Sequence, residues 1–208
     1  MCENNILKTK TVINCKGNLI NLCTPKIMGI LNITPDSFYD GNRYSKEKQI
    51  LERIEQIIND GATWIDIGAV STRPGAETVS LEEEKKRLLP TLDLINNNFS
   101  DILISVDTYR ADIAKEAVIN HNVCLINDIS SGELDANMIK TVAELNVPYV
   151  AMHMQGNPTN MQKNPKYNNV IDDIIQYFSK KIPYFLEAGI NDIIIDPGIG
   201  FGKTIEHN

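Results

Sequence analysis

Asn32, Asp66, Asp107, Asn127, Asp128 and Asp196 stand at or beside the end of short apolar runs. The runs read IMGILN, WID (followed by IG), ILISVD, LIND and IIID. Carboxylates only accept hydrogen bonds, whereas a carboxamide both donates and accepts. Together they can read the edge of a polar ligand. Near-continuous apolar runs of this length suit strands buried on both faces, as in parallel sheets. A polar residue at the C-terminal end of such a strand is poorly placed for packing and well placed for a ligand. In a doubly wound sheet only strands near the switch point need such ends. When every run carries one, the ends converge on one axis, as at the catalytic face of a (β/α)8 barrel.

The elements that must position these residues follow an alternating pattern. Thr11–Cys15 and Leu19–Leu22 flank the turn signal Lys16-Gly17-Asn18 and predict an N-terminal hairpin that caps the closed bottom of a barrel. Helices are expected over Ser45–Asn59, Ser80–Asn96, Arg110–Asn120, Asp135–Leu145 and Val170–Ala188, with a sixth strand at Pro148–Met152. Ser80 and Glu83 form a capping-box pattern, while Gly61 and Gly189 are helix stops. The predicted architecture is an α/β fold, a (β/α)8 TIM barrel of which about six of the eight βα units are present. Residues 1–24 form the hairpin and 25–208 the barrel of a single domain. A closed barrel typically needs about 250 residues, so the sequence is expected to be cut short by about two units.

With net charge −7, the chain is a poor match for nucleic acid or an anionic membrane surface. An anionic substrate would need local Arg, Lys or metal compensation. No apolar run reaches the roughly 18–20 residues of a membrane span, and the start lacks a signal-peptide core. A cytoplasmic location is expected. The four cysteines form no CxxC pair or metal-ligand cluster. Cys15 and Cys23 could face each other across the hairpin, but reduced thiols are the expectation.

The loops after the strands carry the specific chemistry. Six motifs occur in order: Met28-Gly29-Ile30-Leu31-Asn32-Ile33-Thr34-Pro35-Asp36-Ser37-Phe38; Ile65-Asp66-Ile67-Gly68 with Ser71-Thr72-Arg73-Pro74-Gly75-Ala76; Ser105-Val106-Asp107-Thr108; Ile126-Asn127-Asp128; Met152-His153-Met154-Gln155-Gly156; and Asp196-Pro197-Gly198-Ile199-Gly200-Phe201-Gly202-Lys203. From about Lys26 onward the chain resembles the dihydropteroate synthase family, whose members join p-aminobenzoate to a hydroxymethyl-dihydropterin pyrophosphate. The resemblance implies that Asp196 accepts the adjacent N–H and NH2 donors of the pterin in a bidentate pair. Asn127 meets the mixed edge beside it, and Asp107 accepts a further N–H. Met152 joins the substrate-binding set. Asn32 is implied to hold a Mg2+ bridging the pyrophosphate, with the guanidinium of Arg73 on the same anion. Phe38, Thr72, Pro74 and Phe201 would surround the aminobenzoate, on loops that exclude water. A homodimer is implied as well. The attacked carbon is a pterin-stabilised cation, so no protein nucleophile is needed. Neither a Ser-His nor a Cys-His constellation stands out.

Other features have plainer readings. Asp107 and Asp196 compete with a helix N-cap role; Phe38 and Phe201 compete with packing under a loop. Gly198–Lys203 fails the nucleotide P-loop spacing by one residue. His153 is expected to be a hydrogen-bonded structural histidine, and Trp64 a core residue. Ala69-Val70 stands where the family has Gly-Glu, and Ser131 where it has Gly. The family's Ser-Arg-Lys and Arg-x-His segments, which supply cations to the substrates, are expected beyond Asn208. Two other functional classes remain open: a methyltetrahydrofolate-type pterin-binding methyltransferase, disfavoured by the Thr34–Phe38 and Ser71–Pro74 loops, and a non-catalytic pterin-binding paralogue.

Overall fold

The apolar runs form the strands they predict. The computed structural model describes residues 10–34, 43–71 and 79–208. In it β1 (Val12–Cys15) and β2 (Asn18–Asn21) pair antiparallel. Six strands then alternate with five helices: β3 (Met28–Asn32), α1 (Arg43–Asn59), β4 (Trp64–Gly68), α2 (Leu81–Asn98), β5 (Leu103–Asp107), α3 (Ala111–Asn120), β6 (Leu125–Asp128), α4 (Met138–Leu145), β7 (Tyr149–Met152), α5 (Val170–Ala188) and β8 (Ile193–Asp196). β3 to β8 make one parallel sheet in chain order. Each strand therefore delivers its C-terminal end to the same rim.

Alternation along each strand divides the sheet into two faces. Leu31, Ile65, Ile67, Ile104, Val106, Ile126, Tyr149 and Ala151 point outward into the main core, where α1 to α5 cover them. Gly29 is needed there, because a Cβ would meet Ile57 at 2.2 Å. The opposite face holds a second cluster at the strands' N-terminal ends: Trp64, Leu125 and Val150, with Met28, Leu103 and Ile194 packed against it. Ile13 and Cys15 from β1, with Ile20 from β2, close that cluster from below. The hairpin is thus the bottom cap. It is tied down by Asn14 N donating to Asp192 Oδ2 (2.9 Å), an ion pair between Lys10 and Asp192, and Lys16 Nζ donating to Val118 O (2.8 Å).

Three local expectations are corrected. Cys15 does not face Cys23: it lies in register with Asn18, and its thiol meets that of Cys124, while Cys23 is exposed. α4 starts at Met138 rather than Asp135, because the Asp135 carboxylate turns back to accept from Asn137 N and caps α3 by accepting from Ala111 N (2.8 Å). Only half of the capping box forms. Ser80 Oγ accepts from Glu83 N at 3.2 Å, but the Glu83 carboxylate is paired with Arg87 at 2.8 Å. Gly189 ends α5 with φ 103°.

Candidate functional site

Above the lower cluster, the inward positions become polar. Asp66 lies in register with Ser105, and Asn32, Gly68, Asp107 and Asn127 form a continuous row across β3 to β6. Met152 pairs with Asp196 on the far side. The structure therefore brings Asn32, Asp107, Asn127, Met152 and Asp196 to one rim. Gly68 leaves the gap between two of them: a Cβ there would sit 3.1 Å from Asn32 Oδ1 and 3.4 Å from Asp107 Oδ2. Phe38, Thr72, Arg73 and Pro74 lie outside the described residues.

Asp107 is no helix cap. α3 begins after Arg110, and its Ala111 N–H is capped by Asp135. Among the described residues no hydrogen bond reaches the Asp107 carboxylate. Burial pushes its carboxyl well above the usual carboxylate range, and the negative charges of Asp66, Asp128 and Glu84 add to this. Asp196 spends one oxygen locally, as Oδ1 accepts from Gly198 N at 2.7 Å, which locks the start of the 197–203 loop. Asp128, by contrast, faces outward. It accepts from Ser130 N and Oγ, Gly132 N and Tyr149 OH, so it holds the loop after β6.

The apolar side of the rim is Met152, clustered with Ile129, Met154 and Met161, and Phe201 packs against them half-buried. Lys203 is buried beside it. Its ammonium donates to Gly198 O (2.9 Å), Phe201 O (3.1 Å) and His153 O (3.4 Å) and meets His153 Nδ1 at 3.1 Å. Burial and the Lys203 charge hold the His153 imidazole below its ordinary pKa, and the ammonium beside it makes Nδ1 an acceptor; His153 is hydrogen-bonded, as expected. On the other side Glu84, 1% exposed, accepts from Thr108 Oγ1 (2.8 Å) and pairs with Arg110, which also donates to Val79 O. That strut joins the loop after β5 to the loop after β4.

Sequence reasoning noted Asp66 at an apolar run but gave it no separate role. It is 5% exposed and accepts from Ser105 Oγ (2.6 Å) and Asn127 Nδ2 (2.8 Å). The strand runs on to Gly68, so Asp66 sits mid-strand rather than at its end, and only the strand register shows that it lies beneath Asn127. As for cations, Asn32 Oδ1 and Asp107 Oδ2 are hard oxygen donors around one gap. Among the described residues no group of three His, Cys, Asp or Glu side chains is placed to hold a metal ion.

The sequence pattern of the pterin binding enzymes matches residues 28–208. The chain belongs to the pterin binding enzyme family. Dihydropteroate synthase from Haemophilus influenzae is 43% identical over 191 residues, covering 91% of this chain and 68% of that protein. The mitochondrial folate synthesis bifunctional protein of Pisum sativum is 47% identical over 188 residues, covering 88% of this chain. The chain spans only 36% of that longer relative. Among solved structures, Yersinia pestis dihydropteroate synthase superposes with a TM-score of 0.85 at 40% identity, covering 95% of this chain and 71% of its own. The Xanthomonas albilineans enzyme with 4-aminobenzoic acid gives 0.84 at 33% identity, covering 96% and 71%. The six parallel strands and their helices are accordingly part of the (β/α)8 barrel of this pterin binding enzyme family.

Proposed function

We propose that this chain carries the pterin side of a dihydropteroate synthase site. The proposed reaction condenses 6-hydroxymethyl-7,8-dihydropterin pyrophosphate with p-aminobenzoate to give 7,8-dihydropteroate and pyrophosphate. One observation carries the reading: Asp107, Asn127 and Asp196 meet on one rim beside an apolar floor at Met152. Acceptors around an apolar slot suit a flat heterocycle with several N–H donors. The free oxygen of Asp196 and the unpaired carboxylate of Asp107 are the acceptors; Asn127 completes the edge. Supporting it, Xanthomonas albilineans dihydropteroate synthase has been solved with 4-aminobenzoic acid and with 7,8-dihydropteroate.

Mg2+ belongs to the same proposal. Asn32 Oδ1 would hold it together with oxygens of the pyrophosphate and water, a normal shell for this ion. When bound, it supplies positive charge to the departing pyrophosphate. Arg73 is assigned to that anion, and Phe38, Thr72, Pro74 and Phe201 to the aminobenzoate. Phe201 packs against the methionine cluster that includes Met152. A homodimer and a cytoplasmic location complete the reading.

Calorimetry tests the assignment. Wild-type protein should bind 6-hydroxymethylpterin, and Asp196→Asn should lose about 2–5 kcal/mol by setting an NH2 against the ligand's donors. Mg2+ should tighten the pyrophosphate ester alone, and Asn32→Ala should shrink that gain. Wild-type affinity in Asp196→Asn, or equal Mg2+ dependence for both ligands, would refute the corresponding role.

A further inference from the structure

The buried contact beneath the rim has a direction. Burial raises the Asp66 carboxyl, but the contacts with Ser105 and Asn127 oppose that rise. A carboxylate accepting on both oxygens offers no donor, so Asp66 Oδ2, 2.8 Å from Asn127 Nδ2, dictates how the Asn127 carboxamide is turned. The rotated amide would set oxygen against oxygen at that distance. Asp66 cannot turn away to relieve this, since its Oδ1 is engaged by Ser105 Oγ at 2.6 Å and the residue is 5% exposed. Asn127 therefore presents Oδ1 and its second amide hydrogen in one fixed order. It is the one side chain of the Asp107, Asn127 and Asp196 set for which order has meaning, because the other two, when ionised, only accept.

That order matches one class of heterocycle and opposes another. A 2-aminopteridinone shows a ring-nitrogen acceptor at N1 beside an amino donor at C2. Its 2-oxo analogue, lumazine, reverses both, with an N–H at N1 beside a carbonyl. Resting on the reading of the rim as a pterin site, we propose that Asp66 is a positioning residue. By holding Asn127 Nδ2 it fixes the donor and acceptor order of the carboxamide, and thereby favours 2-aminopteridinones over 2-oxo analogues. Asp196 discriminates in the same sense through its own acceptors, so Asp66 controls only the share that passes through Asn127.

Calorimetry at pH 8 with pterin and with lumazine tests this on the 208-residue chain. Asp66→Asn keeps the shape but can show either an oxygen or an NH2 to Asn127, so both amide rotamers become satisfied. The ratio of pterin to lumazine affinity should fall about tenfold, the size of one mismatched buried hydrogen bond. Asp66→Ala, which leaves Asn127 without that partner, should lower the ratio as well. Ser105→Ala removes the contact that keeps Asp66 from turning and should lower the ratio by a smaller factor, since burial still confines the carboxylate. Side-chain amide exchange by NMR reads the contact without any ligand: the Asn127 NH2 should be protected in wild type and lose protection in Asp66→Asn. A ratio within twofold of wild type in both Asp66 variants overturns the proposal. Failure of wild type to bind pterin overturns the reading of the rim instead, and the amide exchange then decides for or against the Asp66–Asn127 contact by itself.

Discussion

Asp107 is kept in an environment that opposes its charge. Burial raises its carboxyl, and Asp66, Asp128 and Glu84 add like charge. The folded state therefore prefers the neutral acid, so stability is fully present below the ordinary Asp pKa of about 3.9. It is lost as pH rises from there through the raised folded value. Ligand N–H donors want the ionised form, so pterin affinity should rise across that same window. Asp107→Asn should melt higher than wild type at pH 8, with a gap that closes near pH 3, and should bind pterin weakly with little pH dependence. Thermal melts and calorimetry across pH check both halves. A variant less stable than wild type at pH 8 would show that the carboxylate is satisfied rather than strained.

At the scale of elements, the loop after β8 is shaped by how close two backbones come. Gly198 has φ 71°, and a Cβ there would lie 2.0 Å from His153 O. Gly200 has φ 83° with nothing within 4 Å. Gly198→Ala should push the loop off the end of β7, free Asp196 from its Gly198 N–H contact, and lower both the melting temperature and pterin affinity. Gly200→Ala should carry only the left-handed strain, on the order of 1 kcal/mol. Melting curves and calorimetry on the two variants separate close approach from strain. Ser131 belongs with these positions. It adopts φ 51° and anchors itself by donating Oγ to Met152 O at 2.8 Å. Such facts show where the sequence was readable. Asp107, Asn127 and Asp196 were legible because each stands at or beside the end of a strand-length apolar run. The Asp66–Asn127 contact was not, since their 61-residue separation is closed only by parallel register. Lys203 was readable as a failed P-loop, but its carbonyl cage depends on the fold of the loop itself.

For the whole molecule, the sheet runs from β3 to β8 in sequence order, and among the described residues no pairing joins those two strands. Ile30 on β3 is 63% exposed and Ile195 on β8 is 45% exposed. Unpaired edges bearing apolar side chains template association. Residues 1–208 should therefore self-associate as concentration rises, and Ile30→Lys with Ile195→Lys should suppress it in light scattering. Unchanged scattering would place the association elsewhere. At the opposite pole, the hairpin closes the bottom over Cys15 and Cys124, while Cys23 stays in solvent. The molecule thus contains its own stopwatch. Under an alkylating pulse, Cys23 reports the reagent's intrinsic speed, whereas Cys15 and Cys124 are marked only when the cap lifts. Peptide mass spectrometry of the three sites should give an opening frequency for the hairpin, distinct from melting of the barrel wall above it.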